Sequence, residues 1–215
     1  MNYSFFAFLN AFIFLKAYFY YDNNTYKIMK KIAIFASGSG SNAEKIILYF
    51  KNSSKINVVQ VYSNNPKAKV LDRAKNHKIP TSIFTKEELN TGFVLKELKE
   101  LKPDLIVLAG FLLKFPENII NAYPNQVINI HPALLPKYGG KGMYGMNVHE
   151  AVLKNKEKET GITIHYVNEH YDEGAIIAQY STNIENYENA EKIAMAVHLL
   201  EHTYFSVEIE KLLNF

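Results

Sequence analysis

Asn129 and His131 flank a single isoleucine at the end of the apolar run that follows Gln126, and the chain passes from them straight into Pro132. Residues two apart on a strand share a face, so the amide and the imidazole are expected side by side. An amide N–H can donate to a developing oxyanion, and an imidazole can donate a proton or a hydrogen bond. Pro132 restricts the exit of the chain and the backbone of His131 before it. A carboxylate is needed to orient such a ring and favour its charged form, and Asp172 is the candidate, in the turn NEHYDEG where Gly174 relieves the backbone. Amide, imidazole and carboxylate together suit acyl transfer without a covalent intermediate. No serine or cysteine nucleophile accompanies them, and no HExxH or comparable set argues for a metal. His77, His170 and His198 read as packed or surface residues; His165, in GITIHYV, reads either as a neighbour of the site or as a buried structural residue.

A second chemical candidate is ASGSGSN, Ala36 to Asn42, where a strand ends and a helix begins. Gly38 and Gly40 let the backbone turn and expose its amides, and the helix adds the positive end of its dipole, so a phosphate is the natural occupant. Asn42 either caps the helix or touches the ligand. The alternative is a glycine-rich connection with no ligand. Gly38-x-Gly40-x-x-Ala43 also satisfies a relaxed dinucleotide fingerprint, but the second strand ends in Ser63-Asn64-Asn65, where a nicotinamide site would offer an acid for the ribose.

The elements that must position these groups follow from periodicity. KIAIFA, INVVQVYS, residues 80–84 and DLIVLA read as strands, separated by helices in AEKIILYF, KAKVLDRAKNH and residues 86–101. That alternation predicts a Rossmann-like α/β fold, a mostly parallel sheet flanked by helices with ligands at the carboxyl ends of the strands. GITIHYVN and GAIIAQYSTNI then predict antiparallel strands at the C-terminal edge, and residues 189–213 a closing helix. A chain of 215 residues, 48% hydrophobic, can bury one substantial core. With no cysteine, disulfides and thiolate metal sites are excluded, which fits a reducing cytoplasm. The net charge of +3 comes from scattered lysines and a single arginine, Arg73, and reads as a solvated surface.

Residues 1–28 differ from the rest, with aromatic residues dense from Phe5 to Tyr21. Their apolar runs fall short of the ~20 residues of a spanning helix, and they lack the basic n-region and small-residue cleavage site of a signal peptide. They read as a dispensable or spurious extension ahead of a true start at Met29, the alternatives being a membrane-associating segment or a packed addition. The domain expected is residues 29–215.

KIAIFASGSGSN, PDLIVLAGF, NIHPALLPKYGG, GITIHYVNEHYDEGAIIAQ and the late LEH together resemble the phosphoribosylglycinamide formyltransferase family, within the folate-dependent formyltransferase superfamily. The resemblance runs from Met29 to the C-terminus. It implies transfer of the formyl group of 10-formyltetrahydrofolate, a co-substrate, to the amine of 5-phosphoribosylglycinamide, in purine biosynthesis and without a metal. By resemblance Asn129, His131 and Asp172 are catalytic, and Gly38, Gly40, Ser41 and Asn42 hold the substrate phosphate. Glu201 lies at the same substrate's site. The backbone of Leu112, Leu113, Lys114 and Phe115, with Asn129, holds the folate. This sequence has Leu112-Leu113 where the family often has Met-Arg, and Asp172-Glu173-Gly174-Ala175 where it has Asp-Gly-Gly-Pro. The arginine usual near the folate glutamate tail is absent, and Lys86 is its replacement, as a point charge without a bidentate contact. Partners are expected to be small molecules, with no nucleic acid and no membrane for the core, in a cytoplasmic monomer or homodimer. Other readings are another folate-dependent formyltransferase, a formyltetrahydrofolate hydrolase, or a non-catalytic nucleotide-binding protein. A tRNA formyltransferase would need a further C-terminal domain, and the hydrolase an N-terminal regulatory one.

Overall fold

The run from Ile32 to Ala36 has no exposed surface, as expected of a central strand covered on both faces. The structure, a computed structural model, describes residues 19–22 and 25–214. Its strands are β1 (Phe19–Asp22), β2 (Thr25–Ile28), β3 (Lys30–Phe35), β4 (Ile56–Ser63), β5 (Thr81–Ile83), β6 (Leu105–Leu108), β7 (Val127–His131), β8 (Glu159–Tyr166) and β9 (Ile176–Asn183). Its helices are α1 (Ser41–Phe50), α2 (Lys69–Asn76), α3 (Lys86–Thr91), α4 (Phe93–Leu101), α5 (Glu117–Ala122), α6 (Met146–Lys154) and α7 (Ala190–Leu213). β1 and β2 pair with each other; the other seven strands form one sheet in the order β5-β4-β3-β6-β7-β8-β9. The first five of that order run parallel, and β8 and β9 join antiparallel at the C-terminal edge. The fold is therefore the mostly parallel α/β architecture the sequence predicts.

Strand alternation divides the core. Ile32, Ile34, Val107, Ile128 and Ile130 pack with α1, α2 and α7 on one face. Ala33, Phe35, Ile106 and Leu108 pack with Leu89, Val94, Leu98 and Ile119 on the other. The single helix expected over residues 86–101 is two: Gly92, at φ 95°, ends α3 and starts α4. A left-handed glycine is the usual stop of a helix, and Thr85 opens α3 with a capping box to Glu88. The closing helix appears as read, with the Asn189 side chain accepting from the Lys192 N–H at its start. The expectations for residues 1–28 fall largely outside the described residues, beyond the pairing of β1 with β2. Among the described residues, no helix is long and apolar enough to cross a membrane.

Candidate active site

β7 is the strand where the sheet changes from parallel to antiparallel pairing. Ile128 and Ile130 enter the core with α1 and α7, so alternation turns Asn129 and His131 to the opposite face. Register then sets their neighbours on β8, with Asn129 opposite His165 and His131 opposite Thr163. The Thr163 hydroxyl donates to the Ala133 carbonyl at 2.7 Å and accepts from the Leu135 N–H at 3.0 Å, which holds the loop leaving His131.

His131 is 3% exposed. Its Nε2 lies 2.7 Å from the Tyr138 carbonyl oxygen. A carbonyl only accepts, so Nε2 carries a proton and donates it. Nδ1 lies 3.5 Å from an Asp172 carboxylate oxygen. The same carboxylate accepts from the Gly140 N–H at 2.8 Å. Tyr138 and Asp172, the two partners of the ring, both adopt φ 57°, in the left-handed region that side-chain-bearing residues disfavour. Gly174 is required beside them, because a Cβ there would run into the Tyr166 carbonyl. The turn containing Asp172 thus folds back to the imidazole, as the sequence reading anticipates.

Of the two roles open to His165, the structure gives it a place beside the site. Its Nδ1 donates to the Tyr166 carbonyl at 2.8 Å, and its Nε2 accepts from the Asn129 amide at 3.2 Å. Burial pushes its pKa below the ordinary value, outweighing the Tyr166 carbonyl and Asp172. The ring is neutral in this network, so the 3.7 Å approach to Asp172 is not an ion pair. The contact turns the Asn129 nitrogen end inward and leaves the second N–H of that amide free to donate.

Ala36 to Asn42 connects β3 to α1. The Ser37 N–H donates to the Gly110 carbonyl at 3.0 Å, and the Ser37 hydroxyl bridges Asn64 and the Leu112 N–H, at 2.7 Å and 2.9 Å. Gly40 is the tight point, at φ 72° and with no room for a Cβ against Val70. Gly38 has open space instead, so of the two glycines expected to let the backbone turn, Gly40 is the one that sterics require. Asn42 does not cap α1, whose N-cap is Gly40. Its amide donates to Glu201 at 2.9 Å, and its own oxygen is buried without a partner. The Ser41 and Asn42 N–H groups belong to the first turn, where no intrahelical acceptor exists.

These parts line one cleft of about 500 Å³, which also takes in Leu112 to Phe115. Three histidines join it that the motif reading passed over or placed elsewhere. His198 pairs with Glu201 at 2.8 Å, which holds its pKa above the ordinary value. His170 lies on the exposed rim. His149, on α6, is 4% exposed with Nδ1 unpartnered, and burial pushes it down to about 4. No local pattern marks His149; only the packing of α6 on α7 brings it to Glu201. Lys86, expected near the folate glutamate tail, is exposed at the first position of α3 and is not among the residues lining the cleft. Among the described residues, no group of three or more His, Asp and Glu is arranged to hold a metal ion.

Residues 30–209 match the model of the formyl transferase family. The chain is 37% identical over 184 residues to the chloroplastic phosphoribosylglycinamide formyltransferase of Arabidopsis thaliana, covering 82% of this chain and 63% of that one. It thus spans less than two thirds of that relative's length. It is 36% identical over 192 residues to the phosphoribosylglycinamide formyltransferase of Bacillus subtilis, covering 86% of this chain and 96% of that one. Among solved structures, the phosphoribosylglycinamide formyltransferase of Bacillus halodurans is similar with a TM-score of 0.77 at 36% identity, covering 86% of this chain and 95% of that one. That of Anaplasma phagocytophilum has a TM-score of 0.79 at 31% identity, over 86% and 88% of the two chains.

Proposed function

The chain belongs to the formyl transferase family, and on that premise we propose that it transfers the formyl group of 10-formyltetrahydrofolate to the amine of 5-phosphoribosylglycinamide, a step of de novo purine biosynthesis. The observation that carries this reading is the meeting of Asn129, His131 and Asp172 in the cleft that also contains the Gly38 to Asn42 loop. Residues 40–42 hold the substrate phosphate with first-turn N–H groups, and Glu201 braces them through Asn42. The backbone of Leu112, Leu113, Lys114 and Phe115 holds the folate ring, together with Asn129.

The neutral amine of the ribonucleotide attacks the formyl carbon, forming a new C–N bond and a negatively charged oxygen. Asn129 donates to that oxygen through its free amide N–H, and His131 through Nδ1, the ring edge that does not face the Tyr138 carbonyl. The amine proton then passes to the folate nitrogen, with Asp172 and water assisting, and the old C–N bond breaks. Formylated ribonucleotide and tetrahydrofolate leave. Holding the two substrates head to head supplies much of the rate, so the two binding ends matter as much as the acid. The same reading sets the reaction in the cytoplasm, with small molecules as partners, no nucleic acid, no metal, and a monomer or homodimer. The absence of cysteine fits a reducing compartment.

Mixing the purified protein with both substrates and following folate absorbance tests this. Turnover is expected only with the ribonucleotide present. Loss of the formyl group without it indicates a hydrolase, and no turnover with either mixture overturns the enzymatic reading.

A further inference from the structure

The chain has one arginine, Arg73, and the structure spends it behind the glycine loop, not in the cleft. Arg73 lies on α2. Its Nε donates to the Ser39 carbonyl at 2.9 Å, and its guanidinium also pairs with Glu44 on α1. One turn earlier on α2, the Val70 N–H donates to the Gly38 carbonyl at 3.2 Å. Two consecutive carbonyls of the loop are thus drawn to the same helix. In a planar trans peptide the N–H points opposite to the C=O. Tying the carbonyls of residues 38 and 39 to α2 therefore turns the N–H groups of Ser39 and Gly40 away from it. Gly40 tightens the arrangement, since its left-handed turn brings the backbone against Val70 where no Cβ fits. Glu44 is itself held from a second side, with His77 Nε2 at 3.4 Å from its other oxygen.

We propose that Arg73 is a positioning residue for phosphate binding: with Glu44 it clamps the Ser39 carbonyl and so presets the loop N–H groups for the substrate phosphate. The assignment rests on the reading of residues 38–42 as the phosphate site. A planar guanidinium serves a carbonyl and a carboxylate at once, whereas a lysine ammonium has no fork geometry to match both. With no clamp, the loop must be ordered at the moment of binding, and affinity for the phosphate falls while the chemistry at His131 is untouched.

The test compares 5-phosphoribosylglycinamide with its phosphate-free riboside, in the native protein and in Arg73→Gln and Arg73→Lys. Arg73→Gln is expected to raise KM for the phosphorylated substrate about tenfold, the scale of one lost charge-assisted hydrogen bond. Arg73→Lys is expected to give a smaller rise. In both, kcat and the folate KM stay near native values, and kcat/KM for the riboside does not change. Equal losses with both substrates would mean a general structural role and overturn the proposal. So would an Arg73→Gln protein that discriminates between the two substrates as well as the native one. A native protein that uses both equally well removes the phosphate-site reading itself, and the proposal falls with it.

Discussion

Asp172 sits in a left-handed turn with one carboxylate oxygen on the Gly140 N–H and 3.5 Å from the His131 ring, so its charge and its turn can be separated by substitution. Asp172→Asn keeps an acceptor for Gly140 and removes the charge. Turnover is expected to fall by a factor on the order of 10² to 10⁴, the range for disabling general acid and electrostatic terms. His131→Ala together with Asp172→Asn is expected to cost little more than the worse single change, because members of one catalytic unit are not additive. Near-normal turnover of Asp172→Asn, or multiplicative losses in the pair, would assign the carboxylate to the turn alone. His149 makes a different residue-scale prediction. Its pKa is depressed to about 4 in the folded protein by burial first, then by His198, with Glu201 opposing. Unfolded, it protonates near ~6.5. Between those values the unfolded state holds the extra proton, so this group's contribution to stability is present above pH ~6.5 and is lost as pH falls towards about 4. Denaturant titrations at several pH values should show a shallower acid decline in His149→Gln.

At the scale of elements, two turns present the chemistry, and each depends on one glycine. Gly174→Ala places a Cβ against the Tyr166 carbonyl, which is backbone of β8 and has little freedom to yield. The variant is expected to lose about 1–3 kcal/mol of stability, typical of overpacking, and to lose kcat as the Asp172 turn is displaced. A native Tm in calorimetry would show that the turn relaxes freely. Gly40→Val drives the glycine loop off Val70 and demands a β-branched residue at φ 72°. It is expected to raise KM for the ribonucleotide far more than KM for the folate; equal weakening of both would point to a folding defect instead.

For the whole molecule, the seven-stranded sheet begins at Lys30, and the β1–β2 pair contributes no strand to it. A chain starting at Met29 is accordingly expected to be soluble and to match the full chain in kcat/KM; insolubility or inactivity would make the preceding segment part of the fold. The sequence by itself determined the alternation of strands and helices, because apolar period and glycine placement are local properties. It also determined the pair on β7: Asn129 and His131 must share a face once Ile128 and Ile130 are buried. The Gly92 break was legible too, in a glycine between two apolar helical stretches, although the reading of one helix passed over it. Only the tertiary structure decided what surrounds those groups. His149 and His198 stand on different helices and His131 on strand β7, and the meeting of the two helical histidines at Glu201 depends on how α6 packs on α7, which no local pattern encodes. Lys86 carries the right charge in the right order along the chain, yet its helix sets it away from the cleft. Arg73 shows no motif at all. Its role appears only once α2 lies behind the loop, because hydrogen bonds between distant segments are fixed by packing and not by spacing.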